Sequence, residues 1–261
     1  MIYDSEKEIL FDCFAQKSND VLILSDNQDE KDKNYIESIK LYESFQYSKA
    51  WVDNSINTNN PPDIINDDLK VFFEVMRFDD HSNNGKENPN RDRASKMEEE
   101  LYEKMPDAIN KRVFINAVTD LPTDDDHSYK KYLNGFKRTV EKHLKKLPNY
   151  ISNYPNYKKG FLVLDESSGI YYELVNRLRK EELEHPTNAQ CLPHFFFFDK
   201  DFVNIFINSD LDYLIWYAPY KIDTNHIELT MPKVIFYDIK NFKFHNYLME
   251  YDEPRMISCE V

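Results

Sequence analysis

The chain alternates apolar blocks with long polar stretches, and the period inside each block separates helix from strand. Ile9, Leu10, Phe11, Cys13 and Phe14 lie among charges between about Asp4 and Gln16, the spacing of a short amphipathic helix. Val21-Leu22-Ile23-Leu24 is a compact apolar run of strand length, which period alone does not separate from the end of a helix. The polar, acid-rich stretch from Ser25 to Asn34 reads as a solvated loop, and a helix is expected from Asn34 to Trp51. An asparagine-rich turn ending in Pro61-Pro62 then precedes Asp63-Ile64-Ile65, a strand, with Asn66-Asp67-Asp68 as the turn of a hairpin. The returning arm, Leu69 to Phe78, is rich in Val and Phe and has the continuous apolar character of a strand buried on both faces.

Beyond a second polar loop, His81 to Asn90, the pattern predicts a helix from Asn90 to about Met105, a strand from Lys111 to Val118 and a long helix from Ser128 to Leu147. A strand from Gly160 to Asp165, a helix from Tyr171 to Glu184, a strand-like Phe195 to Phe198, and strands at Leu211 to Tyr217 and Lys233 to Tyr237 complete the series. This alternation implies an α/β (α+β) fold, a mixed central sheet flanked by helices. With no internal repeat and no linker rich in Pro, Gly or Ser, residues 1–261 are expected to form a single domain.

Composition narrows the chemistry. A chain 41% hydrophobic and 15% aromatic has the material for a core. Its four glycines, Gly85, Gly135, Gly160 and Gly169, are too scattered for GxGxxG, a P-loop or a GxSxG elbow, which excludes the usual nucleotide folds and serine hydrolases. Forty-seven acids against 33 bases give a net charge of −14, so any nucleic-acid surface must be a local patch. Cys13, Cys191 and Cys259 form no CxxC pair and suit reduced thiols. No apolar run reaches membrane-spanning length and the opening residues lack a secretory pattern, so a cytoplasmic location and no membrane partner are expected.

The most informative stretch is Pro62-Asp63, ten residues, then Glu74-Val75-Met76. Asp63 opens one strand and Glu74 lies inside the next, so two carboxylates converge on one place, where a hard cation such as Mg2+ or Mn2+ prefers oxygen ligands. In this the chain resembles the PD-(D/E)XK nuclease superfamily, whose restriction-endonuclease-like core runs helix, hairpin, third strand, helix, fourth strand, with Pro-Asp before the acidic strand. The resemblance covers about residues 34–118 and leaves the C-terminal half, from about residue 159, unassigned. It implies a metal-dependent phosphodiester hydrolase acting on DNA or RNA, or a catalytically degenerate relative, with Asp63 and Glu74 as metal ligands.

The sequence departs from the family at the lysine expected two residues after Glu74, where Met76 stands. Strand alternation puts Arg77 on the other face, and Lys70, of the right parity, lies about 13 Å away along a strand. A cation supplied by Arg91, Arg93 or Lys96 is the remaining expectation. The resemblance also implies a supporting acid on the preceding helix. Glu43 matches it, because Ile36, Ile39, Glu43, Gln46 and Ala50 follow a three-four spacing, or else Glu43 sits at the edge of that stripe and reaches water. Asp80 and His81, at the end of the acidic strand, are further candidate metal ligands or loop caps.

The helix Ser128 to Leu147 carries Lys130, Lys131, Lys137, Arg138, Lys142, Lys145 and Lys146 against Glu141 alone. It is therefore a candidate phosphate-binding strip, or an ordinary solvated face opposite Tyr132, Phe136, Val140 and Leu144. Cys191-Leu192-Pro193-His194 lacks the second pair that a zinc site requires, and the aromatic run near Tyr213 reads as core. A competing reading is a non-enzymatic acidic interaction module that binds a protein partner or a second copy of the chain.

Overall fold

A computed structural model describes residues 3, 5–25, 33–54, 62–79, 128–175, 191–221, 231–241 and 247–258. The expected helix Asn90 to Met105 and strand Lys111 to Val118 lie outside the described residues, as do Asp80, His81, Arg91, Arg93 and Lys96. The fold is mixed α+β, built on a seven-stranded mixed sheet with a smaller three-stranded sheet beside it. Among the described residues no helix is long and apolar enough to cross a membrane.

The first helix, α1 (Glu6–Phe14), starts where Ser5 accepts a hydrogen bond from the Glu8 amide and where Glu6 and Glu8 favour the helix N-terminus. Strand β1 (Val21–Leu24) follows, then α2 (Lys33–Tyr47). The helix stops short of the expected Trp51, which belongs instead to β2 (Trp51–Asp53). Asn66 donates to Ser48 Oγ at 2.7 Å and pins the turn after α2. The Trp51 ring is buried against Phe14, Phe45 and Phe73, and its Nε1 donates to the Phe45 carbonyl at 2.9 Å.

The hairpin of β3 (Ile64–Asn66) and β4 (Val71–Phe78) forms as the sequence predicts. Asn66 Oδ1 accepts from the Leu69 amide at 3.1 Å, and Lys70 takes the left-handed backbone that closes the turn. Next come α3 (Tyr129–Leu144), α4 (Leu147–Asn153) and β5 (Lys158–Asp165), which lies parallel to β4 over its whole length. Ser128 caps α3 by accepting from the Lys131 amide at 3.3 Å. Helix α3 rides close over the end of β4, where a Cβ on Gly135 would sit 2.9 Å from the Asp79 carbonyl oxygen.

Two predicted elements are replaced. Tyr171 to Glu184 is not a helix at its start: β6 (Tyr171–Leu174) pairs with β7 (Cys191–Pro193) and β10 (Met256–Ser258), because aromatic pairs suit a strand face better than a helix. Phe196–Phe198 forms a single 3-10 turn that turns Phe196 and Phe197 inward, and it leads into the short helix α5 (Lys200–Val203). Strands β8 (Tyr213–Tyr217) and β9 (Val234–Asp238) complete the large sheet, whose order is β1-β9-β8-β5-β4-β3-β2. The pair β4–β5, and likewise β5–β8 and β1–β9, is parallel; the other neighbours are antiparallel.

Strand alternation sends the buried side chains of β4 to opposite faces. Val71, Phe73 and Val75 join Phe14, Tyr42, Phe45 and Trp51 under α1 and α2. Phe72, Met76 and Phe78 join Tyr132, Phe136 and Val140 under α3. Glu74 falls on this second face, enclosed between sheet and helix.

Candidate active site

The register pairs Ile64 with Phe73, so one step outward Asp63 stands opposite Glu74 on the same face of the hairpin. Asp63 Oδ2 accepts from the Val75 amide at 2.8 Å, replacing the backbone acceptor that a longer β3 would supply. Burial and the neighbouring Glu74 charge push the Asp63 carboxyl up to about 7, with smaller upward contributions from Glu6 and Asp53 opposed by the Val75 hydrogen bond. The two predicted carboxylates thus converge, and the Glu74 charge works against ionisation of Asp63.

Glu74 is 4% exposed. One oxygen, Oε1, accepts from the Tyr150 hydroxyl at 2.7 Å and lies 2.8 Å from His143 Nδ1. The other, Oε2, is buried with no hydrogen-bond partner among the described residues. An orphaned carboxylate oxygen is costly unless a partner beyond the described residues meets it. Burial first, and then the hydrogen bond to Glu74 and its charge, push the Tyr150 phenol's pKa upward, so Tyr150 remains a donor. His143 sits in the last turn of α3, its ring edge-on to Phe161.

Sequence reasoning missed His143 and Tyr150, though a signal was present. His143 follows Val140 by three residues and Phe136 by seven, and Tyr150 extends the same stripe by seven, which places both on the face of α3 and α4 that meets the sheet.

The structure does not bring Glu43 to this pair. It is exposed, because α2 buries Ser38, Tyr42 and Phe45, and the stripe through Glu43 lies on the flank of the helix. Met76 shares the face of Glu74 but is packed in the core at 3% exposure, leaving an apolar thioether where the lysine was expected. Arg77 points to the other face and pairs with Glu166, and Lys70 lies in the hairpin turn beside Tyr157.

A divalent ion fits the donor set. Two hard carboxylates, one with an unmet oxygen and one with a raised pKa, are the groups whose cost such an ion relieves. Mg2+ characteristically takes one or two carboxylates and keeps several waters. Among the described residues no three His, Cys, Asp or Glu side chains are grouped to hold a metal ion. The described residues would therefore contribute two ligands rather than a full cage.

Of the predicted basic strip, Lys130, Lys137, Arg138 and Lys142 are exposed and Lys131 is half-buried. Lys130 is paired with Glu253 at 3.1 Å. Lys142 directly precedes His143, and Lys145 and Lys146 follow it on exposed positions, so positive charge rims the end of the helix that closes over Glu74. Comparison with protein-family models, curated proteins and solved structures returned no match.

Proposed function

We propose that the chain is a metal-assisted phosphodiester hydrolase, a nuclease acting on DNA or RNA, on a core like that of the PD-(D/E)XK superfamily. The observation that carries this reading is the opposition of Asp63 and Glu74 on neighbouring strands with Glu74 Oε2 buried and unmet among the described residues. The order α2, β2, β3, β4, α3, β5, with β5 parallel to β4, supports it, since it is the helix, hairpin, third strand, helix, fourth strand sequence of that core. The core would then run from Lys33 to Asp165, with β5 in the place where the sequence suggested Lys111 to Val118.

In this reading Asp63 and Glu74 hold Mg2+ or Mn2+. Such an ion, when bound, makes water acidic enough to attack near neutral pH and offsets charge on the phosphate. The chain's own residues do the rest. Tyr150 and His143 fix Oε1 and so aim Oε2 at the site. Lys137, Arg138 and Lys142 attract and hold the polyanionic backbone without reading sequence. The reading carries with it a cytoplasmic location, where Mg2+ and nucleic acid meet.

A second reading is favoured by one observation. Met76 supplies no charge where hydrolysis in this family employs a lysine, which suits a relative that binds without cleaving, or an acidic protein-interaction module. Cleavage of supercoiled and linear DNA, single-stranded DNA and RNA with Mg2+ or Mn2+, beside the Asp63→Ala/Glu74→Ala double variant, decides between them. Hydrolysis lost in the folded variant supports the proposal. No hydrolysis of any substrate by the native chain overturns it in favour of the binding module.

A further inference from the structure

The depth of the acidic pair and the surface beside it select the form of nucleic acid that reaches them. Glu74 Oε2 is buried and unmet among the described residues, and the Glu74 side chain is only 6% exposed. Helices α3 and α4 cover it through His143 and Tyr150, both of which meet Oε1. A phosphodiester attacked there leaves the protein surface and descends beside Asp63. In a continuous duplex the backbone belongs to a rod that is stiff over about 150 base pairs, and it turns a nucleotide inward only by unstacking and unpairing it. An unpaired strand turns about its own backbone bonds and enters without that cost.

A row of aromatic rings begins at the same carboxylate. Tyr150, whose hydroxyl donates to Glu74, and Tyr154 each pack with ring centroids 6.2 Å from Phe72. Tyr157 follows at 5.2 Å from Tyr154, and Lys70 Nζ stands 5.0 Å above the Tyr157 ring. The row thus runs along β4 from Glu74 past Phe72 to Lys70, about 13 Å of strand. Tyr150 is buried, whereas Tyr154 and Tyr157 are partly exposed. At the outer end the Lys158 amide donates to the Lys70 carbonyl at 2.8 Å, so both lysine stems rise at one edge of the sheet, 57% and 60% exposed for Lys70 and Lys158. Lys70 lies 3.9 Å from Asp67, which also accepts from the Tyr157 hydroxyl, and Lys158 lies 3.4 Å from Asp212. Each ammonium keeps donors to spare. Accessible rings beside exposed cations are the means by which proteins hold unpaired strands, the bases stacking on the rings and the phosphates meeting the charges.

Resting on the hydrolase reading, we infer that the substrate is single-stranded nucleic acid, its bases stacking on Tyr154 and Tyr157 and its phosphates following Lys158 and Lys70 toward Asp63 and Glu74. Stacking uses the faces of the bases and tolerates any sequence, so the track takes unpaired DNA and unpaired RNA alike. It lies on α4 and the hairpin turn, apart from the basic face of α3, and it is set by aromatic residues that a count of charges passes over.

Fluorescence anisotropy of labelled oligothymidylate and oligouridylate, with Ca2+ present, measures binding by the native chain, Tyr154→Leu, Tyr157→Leu and Tyr157→Phe. Leucine keeps an apolar side chain against Phe72 and loses the π face, whereas phenylalanine keeps the face and loses only the bond to Asp67. Each leucine variant is expected to bind about tenfold more weakly, and Tyr157→Phe as tightly as the native chain. Hydrolysis with Mn2+ is followed in parallel on a single-stranded DNA circle and a relaxed, closed duplex circle, of which only the first is expected to be cut. Binding that neither leucine substitution weakens, or no binding of either oligonucleotide, overturns the inference. So does hydrolysis of the duplex circle as fast as the single-stranded one, an outcome that leaves the hydrolase reading standing. Tyrosine-dependent binding with hydrolysis of neither circle overturns the hydrolase reading and keeps the track as a surface for unpaired strands. If Tyr154→Leu does not fold, Tyr157→Leu and Tyr157→Phe decide.

Discussion

Replacing Asp63 with Asn isolates the cost of ionising a carboxyl that is buried first and beside Glu74 second. A carboxyl held at about 7 instead of its ordinary 3.8 opposes folding, once ionised in both states, by about 4 kcal/mol. Asp63 keeps a partial path to water, and screening along it reduces the figure to about 2 kcal/mol. The sign follows from proton binding. Between pH 4 and 7 the folded chain retains a proton that the unfolded chain has lost, so stability is fully present below about 4 and falls as pH rises through about 7. Asn keeps a carbonyl oxygen to accept the Val75 amide but cannot ionise. Urea unfolding with a chelator present, followed by fluorescence at pH 4.5 and pH 8, should therefore show Asp63→Asn close to the native chain at the lower pH and about 2 kcal/mol more stable at the higher. A variant equally stable or less stable than the native chain at pH 8 would refute the cost assigned to ionising Asp63 in its buried place beside Glu74.

Other perturbations test the neighbouring contacts. Tyr150→Phe removes a donor to a buried carboxylate and should cost about 1.5–3 kcal/mol in urea unfolding at pH 8, with an unchanged midpoint contradicting the geometry. Gly160→Ala would place a Cβ 2.3 Å from the Phe73 ring, which is wedged against Phe45 and Trp51, and should destabilise by about 1–3 kcal/mol in the same assay. If the exposed face of α3 contacts phosphates, Lys137→Gln/Arg138→Gln/Lys142→Gln should flatten the slope of log affinity against log salt by roughly 2–3 for double-stranded DNA. An unaltered slope would remove α3 from the interface.

The hairpin was legible because its signals are local: a Pro-Asp entry, an Asn-Asp-Asp turn and an uninterrupted Val/Phe arm, so the register that opposes Asp63 to Glu74 followed from short-range chemistry. The end of α2 was not, since nothing near Tyr47 in the sequence stops a helix. The stop comes from Trp51 entering the aromatic cluster and from Asn66 reaching Ser48 across the hairpin. Glu43 keeps to the solvent edge of its stripe for a related reason. A stripe drawn on hydrophobicity passes over Ser38, which is buried because its hydroxyl donates to Asp238 at 2.9 Å, a partner 200 residues away. His143 and Tyr150 lay on a recognisable helical face, but only the parallel pairing of β4 with β5 brings that face over Glu74. The buried pairing of Asp165 at the end of β5 with Lys221 beyond β8 joins residues far apart in the chain, where spacing carries no signal.

The claim at the centre of this account is that Asp63 and Glu74 together hold a divalent ion, and calorimetric titration of Mn2+ into the native chain, Asp63→Asn and Glu74→Gln tests it most directly. One site is expected on the native chain, weakened strongly in each variant while both remain folded. Mn2+ binding that is absent from the native chain, or equal in all three proteins, would contradict it.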